Sequence, residues 1–285
     1  MRVLFVATVW LLMHGLHAPA WAAEPAAAVE AVPAHRSFTM EASATKETRH
    51  INVYTPPGYD AAKGTRYPVL YMPDGGLQED FPHVASDVDA AIRAGEMRPV
   101  LVVGIENTQR RRDMTGPTEF AEDRKIAPVV GGSAQFRAFI ADELMPAIGK
   151  RYRAGDETAI IGESLAGLFV VETFFEQPGL FDVYIAMSPS LWWNQDALVR
   201  GAETRLKAGG FGPRSLFLSS ADEDNIAPQT ARLADALRAA APAGLSWRYD
   251  PRPDLSHGTI YRALSPRLLR DAFPPQTAAG SRQAK

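Results

Sequence analysis

A chain of 285 residues with 46% hydrophobic and 22% charged residues is long enough for one domain with a full core and short for two. Its formal net charge of −3 offers no basic field for nucleic acid or for an anionic membrane surface. It contains no cysteine, which excludes disulfides, a thiol nucleophile, thiolate metal sites and a lipoprotein attachment point.

The amino terminus is set apart. Met1-Arg2 gives a positive start, Val3–Met13 is an apolar stretch too short to span a bilayer comfortably, and Ala20-Trp21-Ala22 supplies an A-x-A site. This layout predicts a signal peptide over residues 1–22, cut near Ala22. The mature protein is then periplasmic or secreted, with no stable membrane insertion after processing. Residues 23–36 are rich in Ala and Pro and read as a flexible leader, residues 37–273 as a single domain, and residues 274–285 as a flexible tail.

Within the domain, short apolar runs alternate with helix-length segments. "HINVYTP" (His50–Pro56) alternates apolar and polar residues, as an outer antiparallel strand does. "YPVLYMP" (Tyr67–Pro73), "PVLVVGI" (Pro99–Ile105), "TAIIG" (Thr158–Gly162), "VYIAMS" (Val183–Ser188), "SLFLSS" (Ser215–Ser220) and "LSWRYD" (Leu245–Asp250) follow. Several are apolar at consecutive positions, the pattern of strands buried on both faces. Helical spacing marks Phe136–Tyr152, with a kink expected near Pro146, then Leu165–Gln177, Thr230–Ala240 and Tyr261–Phe273. The alternation predicts an α/β fold with a mainly parallel central sheet and helices on both faces. Ligands in such sheets bind beyond the carboxyl ends of the strands.

Six strand ends carry candidate chemistry. The first is "AIIGESLAGLFV" (Ala159–Val170), which places Ser164 between a strand pattern and a helix pattern, the context of a nucleophile elbow. The usual motif is G-x-S-x-G, and Ala166 takes the last glycine position. The turn needs small residues, which Gly162, Ala166 and Gly167 supply. A nucleophilic serine needs a base. Of the six histidines, His14 and His17 lie in the signal peptide, His35 near the leader, His50 on the outer strand, and His83 at a helix start as a surface or capping residue. His257 in "PDLSHGTIYRAL" (Pro253–Leu264) follows the last strand, on a loop at its carboxyl end. A third residue should orient the imidazole. "LFLSSADEDN" (Leu216–Asn225) offers Asp222, Glu223 and Asp224 after a strand; Asp224 is preferred, Glu223 second and Asp222 third. The order serine, acid, histidine is the α/β-hydrolase order.

Stabilising a tetrahedral oxyanion takes two backbone donors. The Leu165 N–H follows the nucleophile, and Gly75-Gly76 in "YPVLYMPDGG" end an earlier strand, where they are either the second donor or a simple turn. "NTQRRRDMTGP" (Asn107–Pro117) gathers Arg110, Arg111 and Arg112, either a solvated basic loop or a clamp for an acidic or phenolate group. "SPSLWWN" (Ser188–Asn194) brings Trp192 and Trp193, which either wall an acyl or aryl pocket or fill the core. No metal cluster and no phosphate-binding glycine loop is visible, so no cofactor is expected.

Taken together, "INVYTPPGYD…RYPVLYMPDGG", "ENTQRRRDMTGP", "IIGESLAGLFV", "MSPSLWWN" and "SHGTIYRAL" resemble the esterase-D and enterochelin-esterase-like branch of the α/β-hydrolase superfamily, from about Ser37 to Phe273. The resemblance implies an α/β-hydrolase fold and a serine esterase acting on acyl, siderophore-lactone, feruloyl or thioester substrates, or an acyltransferase. It implies that Ala166 is at home after the nucleophile and that Arg110 and Arg112 lie near the site. The expected protein is an exported carboxylic ester hydrolase using Ser164, His257 and an acid, with a small-molecule ester as partner. The alternatives are an acyltransferase using the same acyl-enzyme and a non-catalytic periplasmic binding protein on a hydrolase scaffold.

Overall fold

The seven apolar runs become seven strands of one eight-stranded sheet, and an eighth strand precedes them. The structure is a computed structural model that describes residues 32–275. The proposed signal peptide, most of the leader and most of the tail lie outside the described residues. The strands are β1 (His35–Ala42), β2 (Glu47–Tyr54), β3 (Tyr67–Met72), β4 (Leu101–Ile105), β5 (Ala154–Glu163), β6 (Val183–Met187), β7 (Arg214–Ser220) and β8 (Leu245–Pro251). Their spatial order is β1-β2-β4-β3-β5-β6-β7-β8. β2 runs antiparallel to both its neighbours, and every other pairing is parallel. β1 is the outermost strand and begins at His35, inside the segment read as leader. The alternating "HINVY" stretch is therefore the second strand in.

Alternation along the strands splits the core in two. Val69, Tyr71, Val103, Ile160, Tyr184 and Ala186 face one layer, while Leu70, Met72, Val102, Ala159, Ile161 and Ile185 face the other. Apolar side chains on both faces are why these strands read as unbroken hydrophobic runs. α1 (Phe81–Arg93) and α8 (His257–Ala272) cover the second layer. α3 (Ser133–Ala138), α4 (Met145–Arg151), α5 (Leu165–Glu176), α6 (Trp193–Ala208) and α7 (Ala227–Ala240) cover the first. α2 (Arg110–Asp113) is a single turn after β4. Each fully buried Phe, such as Phe139 or Phe174, stabilises the fold by about 1.5–3 kcal/mol relative to exposure.

The kink expected near Pro146 takes a definite form. A wide π-type turn, Phe139–Leu144, joins α3 to α4 just before the proline. Pro146 lacks an N–H and its ring would clash with the preceding turn, so the helix widens there. A buried charge cluster ties β2 to α2. Arg49 is fully buried, with Asp113 at 2.7 Å and Glu47 at 3.1 Å. Arg112 bonds the Glu47 carboxylate with two nitrogens, at 2.7 Å each. This holds the Glu47 carboxyl well below its usual range, at about 2, with the Arg112 hydrogen bond as the main cause. Among the described residues no helix is long and apolar enough to cross a membrane.

Candidate active site

Ser164 sits on a sharp turn between β5 and α5 with φ 61° and ψ −121°. A non-glycine residue there is strained by about 1–3 kcal/mol, and such strain is typical of a side chain held out for chemistry. The motif's spacing follows from contacts around the turn. A Cβ at Gly162 would lie 2.7 Å from the Ala166 carbonyl carbon and 2.8 Å from the Ala166 Cβ. A Cβ at Gly167 would lie 3.0 Å from the Met187 carbonyl oxygen. Glycine is thus required at 162, which lets the fully buried Ala166 carry its methyl, and Gly167 lets α5 pass the end of β6.

His257 Nε2 lies 3.0 Å from Ser164 Oγ, and His257 Nδ1 lies 2.8 Å from Glu223 Oε1. A carboxylate only accepts, so the ring donates its Nδ1–H to Glu223 and presents Nε2 to the Ser164 hydroxyl. His257 is the first residue of α8 rather than part of a loop; Ser256 caps that helix in a reciprocal pair with Thr259. Its side chain is 41% exposed, so the site is open to solvent.

The carboxylate that meets His257 Nδ1 is that of Glu223, the second choice from the sequence, and not that of the preferred Asp224. The Glu223 side chain turns inward, whereas Asp222 and Asp224 are exposed on either side of it. Glu223 opens the turn that leads into α7, with its carbonyl accepting the Ala227 N–H at 3.0 Å, and of the three acids it is the half-buried one. Ser188 Oγ donates to Glu223 Oε1 at 2.9 Å and accepts the Ala221 N–H at 3.1 Å. Ser188 directly follows β6 with φ 38°, and sequence reasoning did not assign it a role; its only signal was a hydroxyl at a strand end. Two backbone bonds join the segments that follow β7 and β8. The Asp222 N–H donates to the Leu255 carbonyl at 3.0 Å, and the Arg252 N–H donates to the Ser220 carbonyl at 2.7 Å.

The other candidates divide. The Leu165 N–H opens α5 next to the nucleophile and has no acceptor within its own helix. The Gly75 N–H is engaged by the Ile105 carbonyl at 2.9 Å, which removes it as an oxyanion donor. Gly75 is a glycine because a Cβ would meet β4 backbone at 2.1 Å. The Gly76 N–H donates to Glu79 Oε2 at 2.7 Å, so it is available only when that side chain releases it. Burial pushes the Glu79 carboxyl above its usual range.

Arg110 grips Asp74 with two nitrogens, at 2.6 and 2.8 Å, and is 34% exposed beside the site. Arg112 faces the Glu47–Asp113 cluster instead and is a structural residue. Trp193 is buried and its indole N–H donates to the Gly116 carbonyl at 2.9 Å, so it belongs to the core. Trp192 is half-buried and packs against the same core. His83, read as a surface or capping residue, is buried edge-on against Tyr261 with ring centres 4.7 Å apart. Among the described residues no three His, Cys, Asp or Glu side chains converge to hold a metal ion.

Residues 42–212 match the family described as "Putative esterase". The ferri-bacillibactin esterase BesA of Bacillus subtilis is 29% identical over 189 residues, covering 59% of this chain and 63% of its own. The match therefore spans less than two thirds of that relative. The apo-salmochelin esterase of Escherichia coli is 26% identical over 248 residues, 79% of this chain and 75% of that protein. An IroE-like serine hydrolase from Shewanella oneidensis superposes with a TM-score of 0.77 at 27% identity, covering 84% of this chain and 80% of the other. The sheet order, the strained serine turn and these matches agree: the chain belongs to the "Putative esterase" family, in the enterochelin-esterase-like branch of the α/β-hydrolases.

Proposed function

We propose that this protein is an exported serine esterase that cleaves carboxylic esters through an acyl-enzyme. The observation that carries the reading is the unbroken chain from Ser164 Oγ to His257 Nε2 and from His257 Nδ1 to Glu223. His257 takes the Ser164 proton as the oxygen attacks the ester carbon, and Glu223 holds the ring in the required tautomer. The Leu165 N–H meets the developing oxyanion, with the Gly76 N–H joining it once Glu79 withdraws. His257 returns its proton to the leaving alcohol. A water activated by the same ring then releases the acyl group.

The names of the relatives support a siderophore ester or lactone as substrate. The openness of the site at His257 supports a bulky substrate and attack by water rather than by a sequestered acceptor alcohol. Arg110 and Trp192 are the side chains we propose for contact with the acyl or aryl part. The signal-peptide layout of residues 1–22 supports export to the periplasm or beyond. A fluorophosphonate probe tests the reading: it should label Ser164, and label nothing in Ser164→Ala. An unlabelled wild-type protein would leave a non-catalytic binding protein as the better account. Turnover of catecholate-siderophore lactones, feruloyl esters, acylated sugars and short aryl esters, with and without an acceptor alcohol, then identifies the ester and separates hydrolysis from transfer.

A further inference from the structure

Glu163 directly precedes the nucleophile, and the relay just described gives it no task. Its side chain is 15% exposed, and its Oε1 is buried without a hydrogen-bond partner. That oxygen lies 3.1 Å from His257 Nε2, while Ser164 Oγ lies 3.0 Å from the same nitrogen. Nε2 carries either one lone pair or one proton, directed along one line in the ring plane. It therefore serves one of these neighbours at a time. Here the serine is in line and the Glu163 oxygen is near but off line.

We propose that Glu163 is a positioning residue that competes with Ser164 for His257 Nε2, so that a single proton shared by Glu163 and His257 holds the base out of action until it leaves. This rests on the serine-esterase reading. A protonated Glu163 donates its O–H to Nε2; an ionised Glu163 accepts Nε2–H from the imidazolium. Both arrangements contain the same proton, and both deprive Ser164 of its acceptor. When the proton goes to solvent, a carboxylate and a neutral ring remain, and Nε2 turns to Ser164. During attack the Ser164 proton moves to Nε2, the Oγ–C bond forms and the carbonyl electron pair moves to oxygen. The new imidazolium then faces the Glu163 carboxylate. On collapse, the Nε2 proton leaves with the alcohol.

The surroundings suit a group that holds a proton near neutrality. Burial pushes the Glu163 carboxyl up to about 8; the Arg110 guanidinium opposes this, and Asp80, Asp74 and Glu223 add to it. From α8, the buried Tyr261 hydroxyl feels Asp80, Asp74, Glu163 and Asp87. The active form is the one that has lost the shared proton, so activity rises with pH through the pair's titration. Removing the carboxyl removes the partner that retains the proton, which moves the acid limb to lower pH by on the order of one unit.

The test is kcat/KM on a short aryl ester for wild type, Glu163→Gln and Glu163→Ala, from about pH 5 to about pH 10. The readout is the midpoint of the acid limb, which partial loss of activity does not hide. Both variants should show midpoints below wild type by on the order of one pH unit. Midpoints that coincide with wild type overturn the proposal. If neither variant folds, a nitrogen-resolved NMR titration of His257 in the wild-type protein decides instead. Two steps are expected; a single step overturns the proposal. A wild type that is neither turned over nor labelled at any pH overturns the esterase reading and this inference together, whereas a labelled wild type with unmoved midpoints overturns the inference alone.

Discussion

Glu223 Oε1 stands 2.8 Å from His257 Nδ1, although Asp224 is one residue away and carries the same charge. The choice between them is made by side-chain direction, because Asp224 is exposed. Glu223→Gln should lower kcat/KM by about 10²- to 10⁴-fold, since an amide no longer enforces the tautomer. Asp224→Asn should stay within about threefold of wild type, as exposed substitutions usually do. Steady-state kinetics of the two variants on one aryl ester checks this. The reverse ranking would remove Glu223 from the relay.

The strained turn makes a second expectation. Ser164→Gly should abolish labelling and turnover, yet raise unfolding stability by about 1 kcal/mol. Relief of roughly 1–3 kcal/mol of backbone strain outweighs the extra entropy of an unfolded glycine. Urea unfolding of the two proteins measures it, and a less stable glycine variant would show that the turn holds no strain.

The pentad itself is testable by exchange. Gly162→Ala puts a methyl 2.7 Å from the Ala166 backbone and should cost about 2 kcal/mol or more, with loss of activity as the serine is displaced. Ala166→Gly only removes a buried methyl from a helix, so it should cost about 1 kcal/mol and keep most activity. Thermal melts with activity on the same samples distinguish the two.

Acid stability follows from the Glu47 cluster. The folded-state carboxyl is held at about 2, against an ordinary value of 4.5. A depressed carboxylate contributes stability that is complete above the unfolded value and is lost as pH falls through the folded one. Its contribution therefore disappears between about pH 4.5 and about pH 2. Glu47→Gln should flatten stability against pH across that window and weaken the fold at neutrality, where Arg49 and Arg112 lose one of their two shared partners and keep Asp113. Urea midpoints at several pH values check both.

Buried-strand patterns were legible in the sequence because the sheet is covered on both faces, so Val69–Met72 and Leu101–Ile105 carry no polar residue to break the run. β1 was not legible: it lies at the sheet edge, half exposed, and "HRSFTMEA" lacks the consecutive apolar residues that mark the inner strands. Ser164 and His257 could be placed because each interrupts a pattern at a strand end. The choice among three adjacent acids could not, because it depends on the direction each side chain takes from one loop. Arg112 and Trp193 misled for a related reason. Their types suit a binding site, and only the positions of Glu47 and Gly116, distant in sequence, show that both face inward. The Gly75 N–H was likewise assigned from its strand-end position, whereas its acceptor lies on the neighbouring strand.

The two main-chain bonds between the β7 and β8 loops have a consequence for durability. Glu223 and His257 follow adjacent parallel strands, β7 and β8, whose register is fixed to the last pair, Ser220 against Pro251. The bonds from the Asp222 and Arg252 amides continue that register past the sheet. The spacing between Glu223 and His257 is thus gauged by peptide geometry, a ruler that side-chain wear elsewhere does not bend. Helices other than α8, whose first residue is His257, can drift in sequence, lengthen or loosen with temperature, and the two groups keep their separation for as long as those strands stay paired.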